Sequence, residues 1–124
     1  MLLAKILAGF YLLVSLIGLV TASIPRVYTN AFWQPGRPWV GLLRWVHAYI
    51  AFICVGVCGA SVWLFPQYSQ ALAFLALGVL VAGKVIRIFS GAPIRCPRCF
   101  ALGLVVALLS TWAIVAGTSN VTTA

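Results

Sequence analysis

The sequence contains one pair of thiols at a spacing that suits redox chemistry. Cys96 and Cys99 belong to the stretch Cys96-Pro97-Arg98-Cys99, in which two thiols three residues apart can close a disulfide. Arg95 and Arg98 lie beside them, and the N-terminus of a following helix would add positive potential, so both effects favour the reactive thiolate. We favour structural or incidental thiols here. Two alternatives stay open, a redox-active pair and part of a metal site.

The other two cysteines have helical spacing. Cys54 and Cys58 lie four residues apart on one face of a predicted helix, where small polarizable side chains suit close packing between helices. They stand 10 and 14 residues after Arg44, about 15 and 21 Å along a helix. A tetrahedral zinc site needs four ligands, and one chain cannot gather both cysteine pairs across that distance. Zinc would need two copies that share Cys96 and Cys99, so we predict no metal site within the chain.

His47 is the only histidine, and Met1 is the only methionine. One chain therefore cannot supply both axial ligands of a cytochrome b-type haem. With Arg44, Trp45 and Tyr49 nearby, His47 could hydrogen-bond a quinone carbonyl near the membrane interface. We favour the more ordinary interpretation, a histidine that is solvated or bonded to a neighbouring helix. The prediction is no cofactor, with quinone as the alternative.

The charge composition excludes whole classes of mechanism. Eight Lys and Arg residues occur with no Asp or Glu, which gives a net charge of +8 and a pI of about 10.1. Without carboxylates the chain cannot perform carboxylate acid-base chemistry or build an oxygen-ligand site for calcium or magnesium. Because the cations alternate with long apolar runs and form no soluble basic face, we expect lipid phosphate rather than nucleic acid as the partner.

Five of these cations are predicted to face the same membrane surface. A charge in low dielectric is costly unless it is neutralised, and this chain has no acidic side chain to do so. The ordinary interpretation is that the long basic side chains extend to water and lipid phosphate. The more specific interpretation is a binding site for an anionic lipid or for a carboxylate-bearing partner subunit. Its residues would be Arg44, Lys84, Arg87, Arg95 and Arg98.

The elements that position these groups are membrane spans. Hydrophobic residues make up 65% of the 124 residues, and the mean hydropathy is +1.17. Four apolar runs are long enough to cross a hydrocarbon core of about 30 Å, and proline or glycine separates them. The predicted fold is all-α, a polytopic four-transmembrane-helix bundle that forms one domain over residues 1–124. The spans cover about 6–24, 39–65, 71–89 and 100–117, and we expect the first to be retained rather than cleaved as a signal peptide.

The distribution of charge predicts the orientation of this bundle. When the four spans are threaded alternately, seven cations fall by the first and third connections and only Lys5 falls on the other side. The positive-inside rule then places both connections in the cytoplasm and both termini outside it. The seven cations are Arg26, Arg37, Arg44, Lys84, Arg87, Arg95 and Arg98.

The second half of the chain contains a helix that ends in Leu64-Phe65-Pro66, an apolar third helix, and the turn Gly91-Ala92-Pro93-Ile94-Arg95 that opens the last helix. In these features it resembles the DoxX-like family of small four-helix membrane proteins. The resemblance implies a small membrane subunit attached to a redox or thiol-handling system, including quinone-linked oxidoreductases, with little catalysis of its own. The expected location is a bacterial inner (plasma) membrane.

Two hypotheses about function follow. We favour a non-enzymatic accessory or assembly subunit of a membrane complex, whose partners are anionic lipids and other membrane subunits or further copies of itself. The alternative is a membrane thiol or quinone oxidoreductase in which Cys96 and Cys99 exchange electrons with a quinone near His47.

Overall fold

The computed structural model describes residues 2–27, 36, 38–89 and 97–122, and every element in these ranges is helical. The described residues form four long helices, one short helix and one 3-10 turn. In chain order the elements are α1 (Leu2–Ala22), α2 (Pro25–Val27), α3 (Pro38–Leu64), the 3-10 turn (Pro66–Tyr68), α4 (Ser69–Phe89) and α5 (Pro97–Thr122). The four long helices are long and apolar enough to cross a membrane. The shortest two have 21 residues, about 31 Å at 1.5 Å per residue.

Prolines mark where helices begin. Pro38 and Pro97 are the first residues of α3 and α5, a position where the missing N–H is not needed for a helical hydrogen bond. Pro66 opens the 3-10 turn, and the Ser69 hydroxyl donates to its carbonyl over 2.6 Å. This compact connection reverses the chain, so that α3 and α4 run antiparallel.

The helix ends differ from the sequence-based ranges by up to five residues, and the largest differences are at the start of the first helix and the end of the last. The first helix begins at Leu2 rather than near residue 6, and it includes Lys5, whose ammonium lies 5.4 Å from the Trp63 ring centroid. A cation placed over an aromatic face is stabilised there. The last helix continues to Thr122 rather than ending near 117. Thr118 is buried in this extension, and its hydroxyl donates to the Ile114 carbonyl over 2.7 Å.

The four long helices form a closed ring of neighbours. The first helix packs against α3 and α5, and α4 packs against α3 and α5. The hydrogen bond between the hydroxyls of Tyr11 and Ser110, 2.6 Å long, joins α1 to α5. Ser15 donates to the Phe52 carbonyl over 2.6 Å and joins α1 to α3. Consecutive long helices alternate in direction, as in an up-and-down bundle.

One end of the bundle contains the tightest core, and we call it the packed end. Its buried side chains are small, and a Cβ added to Gly59 would stand 2.7 Å from the Ala8 carbonyl oxygen. A Cβ added to Gly117 would stand 2.8 Å from the Ala4 Cβ. Backbones therefore approach closely, as in small-residue packing between membrane helices. The core residues are Ala4, Ala8, Cys58, Val62, Ala73, Ala76 and Ile114.

The outer surface of the bundle is apolar. Large side chains such as Phe89 and Trp112 are 83% and 70% exposed, and exposed leucine, isoleucine and valine continue along all four long helices. A water-soluble monomer rarely exposes so much continuous apolar surface, whereas acyl chains would cover it in a bilayer. The fold thus agrees with an integral membrane protein.

Candidate functional site

A cleft of about 360 Å³ opens between α3 and α4 at the end opposite the packed end. We call it the basic cleft, and the end that contains it the basic end. Three cations and the single histidine line it, together with apolar side chains. The lining residues are Arg44, His47, Ala48, Ala51, Phe52, Leu80, Gly83, Lys84, Ile86 and Arg87.

Helical periodicity assembles this lining. The residues from α3 include positions 44, 47, 48 and 51, and those from α4 include positions 80, 83, 84 and 87. Both sets follow the i, i+3, i+4, i+7 spacing that places side chains on one face of a helix. Because α3 and α4 are antiparallel, Arg44 is brought level with Arg87 and Ala51 with Leu80.

His47 holds the two walls of the cleft in register. Its Nε2 lies 2.8 Å from the Val79 carbonyl oxygen. A carbonyl only accepts hydrogen bonds, so Nε2 carries a proton and donates it. The imidazole occupies space that Gly83 leaves open, since a Cβ on Gly83 would stand 2.5 Å from Cε1 of His47. A glycine at position 83 therefore lets α4 approach the histidine.

The cations lie close together on this end of the cleft. Arg44 and Arg87, from opposite walls, are near enough to repel each other electrostatically. The ammonium of Lys84 lies 4.6 Å from the Phe100 ring centroid and 3.3 Å from where a Cβ on Gly103 would stand, so it reaches α5. All three side chains are half-buried. The full sequence has no Asp or Glu, so no side-chain carboxylate of this chain balances the three charges.

The rest of the cleft is apolar. Ala51 and Leu80 lie seven residues from Arg44 and Arg87 respectively, about 10 Å further along the bundle at 1.5 Å per residue. Phe52 also lines the cleft, and its ring packs directly over Gly18 of α1. The lining therefore changes from cationic to apolar over two helical turns.

Trp45 and Tyr49 face α1 and not the basic cleft. The Trp45 Nε1 donates to the Ala22 carbonyl over 3.0 Å and occupies an acceptor at the end of α1. The Tyr49 hydroxyl lies 2.5 Å from the Ser23 hydroxyl, and the two aromatic rings meet edge to face at 4.8 Å. His47 faces α4 instead, so the structure does not gather the aromatic pair and the histidine around one cavity. The quinone contact stays a proposal.

The two cysteine pairs have different environments. Cys99 is disulfide-bonded and exposed at the start of α5. Cys54 and Cys58 are free thiols, and Cys58 is fully buried within the core of the packed end. Cys96 lies outside the described residues. Within the described ranges no group of three or more His, Cys, Asp or Glu side chains could hold a metal ion.

The five predicted binding cations have separate positions. Arg44, Lys84 and Arg87 line the basic cleft. Arg98 is exposed in the first turn of α5, and Arg95 lies outside the described residues. From the sequence His47 was expected near Arg44, but neither Gly83 nor the cations of α4 were expected beside it. The matching i, i+3, i+4, i+7 series on α3 and α4 was the signal that could have predicted this joint site.

Comparison with known proteins identifies no relative of this chain. No protein-family model matches the chain, and no curated protein or solved structure is significantly similar to it. The resemblance to the DoxX-like family therefore stays a proposal.

Proposed function

We propose that this chain is a non-enzymatic accessory protein of a membrane whose basic cleft binds the acidic headgroup of a lipid. One observation carries the proposal: Arg44, Lys84 and Arg87 converge from two helices on one cleft in a chain that has no acidic residue. Each basic group near an anionic membrane surface contributes about 1 kcal/mol of attraction, and arginine can bind a phosphate group through two parallel hydrogen bonds.

The distribution of charge supports a cytoplasmic position for the basic end. Arg26 lies just after α1 and Arg98 lies in the first turn of α5, so both are at the same end of the bundle as the cleft. Lys5 lies at the packed end, beside Trp63. With the positive-inside rule, this arrangement favours cytoplasmic leaflet contact and termini on the outer side. The DoxX-like resemblance favours a bacterial inner membrane and a role beside a larger, redox-linked complex.

The lipid interpretation can be tested by unfolding in nanodiscs. We expect wild-type protein to melt at a higher temperature with phosphatidylglycerol than with phosphatidylcholine alone, since a ligand that binds only the folded state stabilises it. The double variant Arg44→Gln/Lys84→Gln should lose most of this difference. Lys5→Gln removes one cation at the packed end and should keep it. Equal shifts in all three proteins would contradict the proposed function.

A second candidate function is favoured by the disulfide at Cys99. As a thiol oxidoreductase, the chain would oxidise a dithiol to a disulfide, with two electrons and two protons reducing a quinone to its quinol. Replacing Cys99 with Ser would then abolish quinone-dependent thiol oxidation, whereas Cys54→Ala would leave it unchanged. If reconstituted wild-type protein shows no thiol-dependent quinol formation, this candidate is wrong.

A further inference from the structure

We infer that the basic cleft takes up a single-chain amphiphilic anion, with its charged head at Arg44, Lys84 and Arg87 and its apolar body along Ala51 and Leu80. This inference deepens the proposed function and rests on it. To the contact between the cations and the acidic head it adds insertion of the ligand's apolar chain between α3 and α4. The head chemistry is a carboxylate or a phosphate monoester, since both carry negative oxygens that match arginine and lysine.

The two-part lining is the first reason. A small inorganic anion would meet the cations, but it would leave the apolar walls around Ala51, Phe52 and Leu80 uncovered by a ligand. A ligand with an apolar chain would contact these walls as well as the cations. Ligand sites commonly combine mostly apolar walls with a few polar groups that orient the ligand. The basic cleft has this composition, with the polar groups collected at one end.

The size of the cleft is the second reason. Its volume of about 360 Å³ corresponds to roughly a dozen groups of the size of water, which occupies about 30 Å³ in the liquid. That space accommodates a head and one short chain. A second acyl chain would lie outside it. The distance of about 10 Å from the cations to Ala51 and Leu80 gives the chain an extended path along the helix axes.

The walls of the cleft are held before any ligand arrives. The hydrogen bond from His47 to the Val79 carbonyl joins α3 to α4 midway between the charged and apolar parts. The Phe52 ring is supported by Gly18 of α1. A cavity with fixed walls needs less ordering on binding, so more of the contact energy appears as affinity.

The test uses protein in phosphatidylcholine nanodiscs with two probes, dodecanoate and dodecyl phosphate. Ala48→Phe fills the middle of the cleft and leaves its cations in place. Ala82→Phe adds the same side chain at an exposed position on α4. We expect Ala48→Phe to weaken binding of the better probe by roughly tenfold or more, about 1.4 kcal/mol. Ala82→Phe should bind as wild type does, and Arg44→Gln/Lys84→Gln should lose binding of both probes.

A second measurement does not depend on how Ala48→Phe folds. A dodecanoate analogue with a diazirine midway along its chain, photolysed on wild-type protein, should label Ala51, Phe52 or Leu80. Labelling that is confined to exposed residues of the bundle would overturn the inference. So would wild-type affinity of well-folded Ala48→Phe for both probes. A preference for dodecyl phosphate would support the inference with a phosphate head, and a preference for dodecanoate would support it with a carboxylate head.

The outcomes separate this inference from the proposed function. If neither probe binds in the cleft but phosphatidylglycerol still raises the melting temperature through Arg44 and Lys84, the headgroup contact stands and insertion is wrong. If charge removal changes neither phosphatidylglycerol stabilisation nor probe binding, both are wrong.

Discussion

His47 and Gly83 show how a single pair of residues sets the shape of the basic cleft. The His47 imidazole lies against α4 at Gly83, which has no side chain to obstruct it. Its Nε2 donates to the Val79 carbonyl. A hydrogen bond of this kind contributes about 1 kcal/mol to stability. The pair therefore sets how closely α3 and α4 approach each other along the cleft.

At the residue scale we predict that Gly83→Ala destabilises the bundle by about 1 to 3 kcal/mol, the range for overpacking in a well-packed site. The added Cβ would stand 2.5 Å from Cε1 of His47, so the ring must move and the bond to Val79 is strained. Gly78→Ala is the matched control on the same helix, because nothing lies within 4 Å of its added Cβ. Thermal unfolding in detergent measures both.

A double-variant cycle tests the cause of this destabilisation. In a His47→Ala background the imidazole is gone, so Gly83→Ala should lose most of its effect on the free energy of unfolding. An equal destabilisation with and without the imidazole would show that the contact between positions 47 and 83 is not the reason.

At the scale of elements, α1 and α3 are held together by close backbone approach at the packed end. A Cβ on Gly59 would stand 2.7 Å from the Ala8 carbonyl oxygen, and a backbone atom cannot rotate away as a side chain can. We predict that Gly59→Ala lowers the free energy of unfolding by about 1 to 3 kcal/mol. Gly9→Ala on α1, where the added Cβ meets nothing within 4 Å, should have little effect. Equal stability of the two variants would mean that α1 and α3 pack less tightly.

The sequence predicts the positions of the helices better than it predicts which face of each helix packs against a neighbour. Apolar length and proline positions indicate four spans, and four helices of spanning length are present. The first and last helices begin earlier than predicted because Lys5 packs over the Trp63 ring and Pro97 can be the first residue of a helix. Which face of α3 meets α4 depends on packing between helices. For that reason the joint position of His47 and Gly83 was not predicted, although both residues follow the periodicity of the cations.

At the scale of the whole molecule, the separation of charge between the two ends predicts the orientation. The structure places five cations toward the basic end and Lys5 at the packed end. The five are Arg26, Arg44, Lys84, Arg87 and Arg98, and in the sequence Arg37 and Arg95 belong to the first and third connections. We predict that a reporter fused after Ala124 lies outside the cytoplasm. An alkaline phosphatase fusion should be active there and a fluorescent protein fusion dark. The reverse result would show that the positive-inside rule does not decide the topology of this chain.

The central claim is that the basic end holds an acidic lipid group, and native mass spectrometry of wild-type protein released from its membrane tests it most directly. We predict a bound species with the mass of an anionic lipid or amphiphile. It should be retained at low salt, weakened by Arg44→Gln/Lys84→Gln and unaffected by Lys5→Gln. An acidic protein subunit in its place would identify a different partner for the same cations. Wild-type protein that carries no anionic species even at low salt would contradict the account.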